Sequence, residues 1–252
     1  MLRIGIRTVG AVVILLGLIS SGWTAEKDVK TLPIGAPAPD FELPGVDGKT
    51  YRLADFADAK VLALVFTCNH CPTAQAYEER LVKLDADYRD RGAALVAISP
   101  NDAKAVRLDE LGYTDVGDSL EDMKIRAKDA GFKFPYLYDG DNQKVSAAYG
   151  VLATPHVFIF DAQRKLRYAG RVDDSDIKEV KSHDARNAIE ALLAGKPVPV
   201  ETTRVFGCST KWSDKQAAAV ESLKKWDQEP VSLTTIDERG VKELARNDTQ
   251  NL

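Results

Sequence analysis

Two runs, Val61–Phe66 and Ala93–Ile98, are apolar at every position. Runs of this length and character fit central strands covered on both faces. Between them, Ala76, Leu81, Leu84 and Tyr88 recur at helical spacing, which predicts a helix over residues 73–88. Ahead of the first run, Phe41-Glu42-Leu43 and Tyr51-Arg52-Leu53 alternate about an Asp47-Gly48 turn and read as a hairpin. Gly35–Pro39 is extended, because each proline biases its predecessor away from helix. Past the second run, residues 103–131 are polar and helix-prone, with a loop near Gly112–Asp118. Phe134–Tyr138 leads into a turn at Asp139-Gly140-Asp141, and a short helix over Lys144–Tyr149 stops at Gly150. His156–Phe160 is a further strand, with Leu166–Val172 as its hairpin partner. Asp184–Leu193 is a helix closed by Gly195 and Pro197. Lys215–Trp226 is helix-like, with Ala218, Val220, Leu223 and Trp226 as its apolar face. The order strand, helix, strand, helix, strand, strand, helix predicts an α/β layer fold with helices on both faces of the sheet.

The first 25 residues stand apart from this pattern. Arg3 and Arg7 are their only charges, an apolar stretch from Val9 to Ile19 follows, and Ser20-Ser21-Gly22 precedes Ala25. A cationic start, a short apolar stretch and a small-residue exit have the layout of a secretory leader. The stretch is shorter than the ~20 residues of a spanning helix, so an uncleaved anchor is the secondary reading. Secretion or a periplasmic location implies an oxidising compartment, where disulfides persist.

The chain contains three cysteines, Cys68, Cys71 and Cys208. That number is no disulfide framework, and two of them form one Cys68-Asn69-His70-Cys71 motif, which points to redox or metal chemistry. A strand that hands over to a helix at CxxC sets the first cysteine at a helix N-terminus, where free N–H groups and the dipole stabilise a thiolate. Cys71 can then resolve a mixed disulfide formed on Cys68, and an imidazole at His70 would stabilise the reduced form and make the couple more oxidising. Zinc needs four ligands, and the other candidates (Cys208, His156 and His183) lack a recognised spacing. Covalent haem attachment needs CxxCH, but Pro72 stands in the last place. A purely structural CxxC disulfide would close a tiny loop and stabilise little. No metal or cofactor is expected. Thr154-Pro155 follows Cys71 by some 84 residues and introduces a strand. In conjunction with the CxxC it reads as a cis-proline facing the sulfurs, with Thr154 pairing a substrate backbone; an ordinary trans proline at a strand start is the alternative.

The stretches GAPAPDFELPGVDGKTYRLADF, VLALVFTCNHCP and ATPHVFIFD resemble the redoxin branch of the thioredoxin superfamily, which includes the peroxiredoxin and alkyl-hydroperoxide-reductase relatives. The likeness extends over residues 32–200, with a later GCSTKW segment that fits a peroxiredoxin-like subgroup. It implies a thioredoxin-like fold: a central mixed sheet flanked by helices, with an N-terminal β-hairpin and a C-terminal helical tail. It also implies Cys68 as nucleophile, Cys71 as resolving cysteine and Pro155 as the cis-proline. Peroxiredoxins carry a threonine three residues before their reactive cysteine and a proline four residues before that. Val65 and Val61 hold those places here, with Thr67 adjacent to Cys68 instead. The activity implied is therefore thiol–disulfide exchange, with a thiol-dependent peroxidase or a non-catalytic binding module as alternatives.

Cys208 is the odd thiol, read either as an accessory that docks near Cys68 or Cys71 or as a buried free cysteine. His156 and His183 read as packing or surface residues, and Arg171 with Asp173-Asp174 as a solvated charge cluster. Residues 201–252 form an extension whose closing RNDTQNL resembles the lead-in to a further domain. Apolar residues make up 44% of the chain, enough for a sizeable core, and the formal charge of −4 offers no basic excess for nucleic acid. The expected partners are protein thiols or disulfides and a redox partner protein, with membrane contact only through an uncleaved leader.

Overall fold

Val61–Phe66 (β3) buries every one of its side chains, and the fold is built on its two faces. Val61, Ala63 and Val65 join one apolar cluster, and Leu62, Leu64 and Phe66 join a second. Each fully buried Val, Leu or Phe side chain among them contributes about 1.5–3 kcal/mol. The computed structural model describes residues 29–229 except 112, 113 and 115. The expected secretory leader at residues 1–25, and the part of the extension from residue 230 on with its RNDTQNL ending, lie outside the described residues.

Ala93–Ser99 (β4) runs parallel to β3, and Tyr136–Tyr138 (β5) runs parallel to β4. His156–Phe160 (β7) is antiparallel to β3, and Leu166–Gly170 (β8) is antiparallel to β7. The five-stranded order is β5-β4-β3-β7-β8. Pro72–Tyr88 (α1), Leu120–Asp129 (α2) and Asp184–Leu193 (α4) cover one face, where Tyr77, Leu81, Leu84, Met123 and Ile189 join the first cluster. The hairpin Glu42–Pro44 (β1) and Thr50–Arg52 (β2), together with Lys144–Tyr149 (α3), covers the other, through Phe41, Leu43, Val145 and Tyr149. This is the expected thioredoxin-like α/β architecture, a mixed sheet flanked by helices.

Several local expectations are corrected. Within residues 103–131 the α-helix is confined to α2, preceded by short 3-10 turns at Ala103–Ala105 and Leu108–Leu111. Ser119 and Asp122 form a reciprocal capping box, which sets where the helix begins. Tyr136–Tyr138 is a strand rather than a lead-in, too short to show its own period. β8 ends at Gly170 instead of Val172. The C-terminal helix is Gln216–Gln228 (α5), but Val220, Leu223 and Trp226 are about half exposed, so the apolar face read from the sequence is uncovered among the described residues. No helix of the described residues is long and apolar enough to cross a membrane.

Candidate functional site

The Thr67 N–H donates to the Ile98 carbonyl at 2.9 Å, extending the β3–β4 pairing one residue beyond Phe66. The chain then leaves the sheet at the carboxyl ends of two parallel strands, the edge where α/β sheets commonly place their sites. Helix α1 starts later than the motif suggested. Cys71, not Cys68, is its N-cap, with extended backbone, Pro72 as the next residue and the Gln75 N–H donating to the Cys71 carbonyl at 3.0 Å. Pro72 explains the late start: it disfavours helical backbone at Cys71 and is at home in the first helical position.

The two residues between the cysteines are clamped by Asp118. Its Oδ1 accepts from the Asn69 and His70 backbone N–H groups at 2.9 and 3.1 Å. Its Oδ2 accepts from His70 Nδ1 at 2.6 Å and from Asn101 Nδ2 at 2.7 Å. The Asn69 side chain donates to the Gly117 carbonyl and accepts from Tyr136, while its own carbonyl accepts from Gln75. Burial alone would raise the Asp118 pKa, but hydrogen bonds led by His70 and Asn101 outweigh it and hold the carboxylate below its usual range. An ionised carboxylate can only accept, so the proton in the short contact belongs to His70 Nδ1. Nε2 is buried and has no hydrogen-bond partner among the described residues.

Both active-motif sulfurs meet on Thr154. Cys68 Sγ lies 3.1 Å from Thr154 Oγ1, and Cys71 Sγ lies 3.4 Å from the Thr154 carbonyl oxygen. The Thr154–Pro155 peptide bond is cis. Burial, then a hydrogen bond with Cys71, then the Asp118 charge push the Cys68 thiol well above its ordinary value. The Cys71 thiol is pushed down: Cys208 and Cys68 both hydrogen-bond to its sulfur, and backbone N–H groups of Ala74 and Cys208 add to this against the effect of burial. The helix start expected beneath Cys68 lies instead at Cys71. His70 faces a carboxylate, so the cationic imidazole expected to stabilise reduced Cys68 is offset by a negative charge.

The edge of Thr154 is not open to a substrate backbone, as the sequence had suggested. Ala153–Thr154 (β6) pairs antiparallel with Cys208–Ser209 (β9), in the register Thr154 to Cys208. The strap that carries β9, residues 204–212, is held at both ends. Phe206 rests on Tyr77 with ring centroids 6.3 Å apart. At the other end the Lys211 N–H donates to Asn101 Oδ1 at 2.9 Å, and the Lys211 carbonyl accepts from Asp102 N and Gln143 Nε2. One amide, Asn101, thus ties the strap to Asp118. The Cys208 N–H donates to Cys71 Sγ at 3.4 Å, and Cys208 packs with Cys68, Cys71 and Ala74.

Cys68, His70 and Asp118 also bring one ligand atom each within 4.8 Å of one another, a grouping able to hold a metal ion. The four hydrogen bonds already accepted by Asp118 compete with that use. His156 is a packing residue: its ring is tilted against Phe158 with centroids 4.3 Å apart, and burial depresses its pKa to about 3. His183 Nδ1 meets Asp173 at the surface, and Arg171 pairs with Asp184. The sequence reading missed Asp118 and Asn101. Asn101 follows the end of β4 at the site edge, a position that could have marked it; Asp118 sits in a loop with no periodic pattern.

The profile of the AhpC/TSA family matches residues 34–169. Among curated proteins, the thiol-disulfide oxidoreductase ResA of Geobacillus thermodenitrificans is 26% identical over 185 residues, covering 70% of this chain and 93% of that protein. The thiol:disulfide interchange protein DsbE of Yersinia pestis is 32% identical over 148 residues, covering 56% of this chain and 66% of that one. Two solved structures of uncharacterised proteins are similar over nearly three quarters of this chain. That from Sinorhizobium meliloti 1021 is 37% identical with a TM-score of 0.65, covering 73% of this chain and 97% of its own. That from Geobacillus kaustophilus is 40% identical with a TM-score of 0.64, covering 72% and 93%. The profile match takes in Cys68, Cys71 and Pro155, stops short of the strap and spans more than half of the sequence, so the chain belongs to the AhpC/TSA family.

Proposed function

We propose that this protein exchanges disulfides with protein thiols through Cys68 and Cys71, in the oxidising compartment to which the secretory layout of residues 1–25 would send it. The observation that carries the reading is the meeting of both sulfurs on Thr154, with a helix start beneath Cys71 and the His70–Asp118 pair beside Cys68. The names of the ResA and DsbE relatives, both thiol–disulfide proteins, support the same chemistry.

In the dithiol state the anion rests on Cys71 and the proton on Cys68. The Cys71 thiolate attacks one sulfur of a substrate disulfide, and the substrate's second sulfur leaves with the electron pair. Cys68 then passes its proton to His70 Nε2 and attacks Cys71 Sγ. The Cys68–Cys71 bond forms, and the substrate departs as a dithiol, taking up that proton and one from solvent. Run in reverse, the same steps oxidise a substrate dithiol; the direction is set by the potential of the pair against that of its partner. Thr154 holds the sulfurs rather than the substrate. Peroxide is no favoured substrate, because Val65 and Val61 occupy the positions of the peroxidase threonine and proline.

The test is turnover of insulin disulfides by the reduced protein, followed by trapping. Cys68→Ser is expected to accumulate a mixed disulfide on Cys71, and Cys71→Ser to lose turnover. Turnover that survives both substitutions sinks the reading, and rapid peroxide consumption would replace it with the peroxidase.

A further inference from the structure

We propose that Cys208 is a third redox thiol, which takes Cys71 out of the Cys68–Cys71 disulfide and presents a Cys71–Cys208 disulfide to the partner protein. This inference rests on the exchange chemistry proposed above and adds where a partner meets it.

Accessibility raises the question. Cys68 is 2% exposed and Cys71 is fully buried, whereas Cys208 is partly open to solvent. Exchange needs a thiolate to approach a sulfur along the S–S axis, so access limits its rate. A protein thiol meets Cys208 where it stands, whereas direct exchange at Cys71 or Cys68 needs the strap to lift from Thr154. The strap is also built to hold its sulfur at this place. Cys208 stands opposite Thr154 in an antiparallel pair, as an incoming chain would, with its N–H on Cys71 Sγ. Gly207 permits the approach: its φ is 134°, and a Cβ there would lie 2.0 Å from the Thr154 carbonyl oxygen. Phe206 on one side and Lys211 on the other fix the segment against Tyr77 and Asn101.

The step balances without an outside oxidant. The Cys208 thiol gives up its proton and its sulfur attacks Cys71 Sγ. The Cys71–Cys208 bond forms, the Cys68–Cys71 bond breaks, and Cys68 leaves with the electron pair and takes up the proton. In the dithiol state the Cys71 anion holds the Cys208 proton in place and raises that thiol. Once Cys71 is in a disulfide that anion is gone, so Cys208 is freed to react at the stage where its attack is needed.

The full chain is reduced, oxidised with one equivalent of diamide, alkylated with N-ethylmaleimide in acid and digested with trypsin. Cleavage after Lys60, Arg80, Arg204 and Lys211 isolates Cys68 with Cys71 in one peptide and Cys208 in another. The expected result is a disulfide-linked pair of these peptides with the alkyl group on Cys68, and a matching loss of label at Cys208. Cys68→Ser should drive the link toward completion, and Cys71→Ser should remove it. Wild-type protein that forms the Cys68–Cys71 disulfide and turns over insulin, yet keeps Cys208 fully alkylated, overturns this inference alone. Wild-type protein that forms no disulfide and turns over no insulin overturns the exchange reading and this one together.

Discussion

His70 and His156 are equally hidden, each about 1% exposed, and they sit at the same end of the sheet. His156 pairs with Phe66, four residues ahead of His70. Their surroundings differ in kind. His70 is given a carboxylate that is itself anchored by Asn101 and two backbone N–H groups. His156 is given a phenyl ring and the Leu152 N–H, which donates to its Nδ1 at 3.4 Å. Burial by itself favours the neutral imidazole, and at His156 nothing opposes that. At His70 the ring keeps one nitrogen engaged and the other unpaired, and brings a nitrogen within 4.8 Å of Cys68 Sγ. Burial is thus common to packing and chemistry, and the partner of the polar atom separates them.

The most severe way to break this contrast is to remove the carboxylate. Asp118→Ala leaves two backbone N–H groups, the His70 ring and the Asn101 amide without their acceptor. Leaving one buried donor without its acceptor costs about 1–3 kcal/mol, so stranding these together costs about 3 kcal/mol or more. Urea denaturation at pH 7 should show a loss of that size, and an effect under 1 kcal/mol would mean that Asp118 does not organise the site.

His70→Gln is gentler on the fold and harder on the chemistry. A glutamine amide can still donate to Asp118, but it offers no base at the position of Nε2. General-base assistance contributes about a hundredfold or more. Resolution of a mixed disulfide, followed by stopped-flow release of the reduced substrate, should slow by about a hundredfold with the melting temperature nearly unchanged. An unchanged rate would remove the proton transfer from the mechanism.

At His156 the contrast is read through pH. Its folded pKa lies near 3 against about 6.5 in the unfolded chain. The unfolded state therefore binds the extra proton between these values, and stability falls as the pH drops below about 6.5. The cost is about 2 kcal/mol at pH 5. The Asp118 pKa is also shifted down, but there the shift favours the charged form, so its contribution is complete above about pH 4 and is lost only below that. Urea midpoints from pH 7 to pH 4 should fall for the wild type and flatten for His156→Phe. A slope identical in both proteins would contradict the burial of a neutral ring.

How far the sequence revealed this follows the same division between pattern and partnership. β3 and β4 were legible because each is apolar at every position, and α1 because Leu81, Leu84 and Tyr88 keep helical spacing. Cys68, His70, Cys71 and Thr154-Pro155 were legible as residue types in a motif. Asp118 was not, because its place beside His70 depends on a loop 48 residues away that has no period. The start of α1 was placed to within one residue, but Cys68 was read as the cysteine at its N-terminus because Pro72 was not read as the first helical residue, which makes Cys71 the N-cap. The strap went unread for a similar reason: a two-residue strand such as Cys208–Ser209 carries no alternation, and only its pairing with Thr154 defines it.

The third histidine supplies the small end of the scale. His183 Nδ1 lies 3.0 Å from Asp173, a geometry that resembles the His70–Asp118 contact on paper. Its side chain is 54% exposed, however, and Asp173 keeps the Arg80 guanidinium at 3.2 Å. Water can replace the imidazole, so Asp173 would not be left as an unpaired buried charge. Exposed ion pairs contribute about 0–1 kcal/mol and weaken with salt. His183→Ala should therefore change the urea midpoint by an amount equivalent to less than about 0.5 kcal/mol, and leave mixed-disulfide resolution unchanged. A loss approaching that of Asp118→Ala would show that proximity to a carboxylate, and not its burial and full hydrogen bonding, is what makes a histidine costly to remove here.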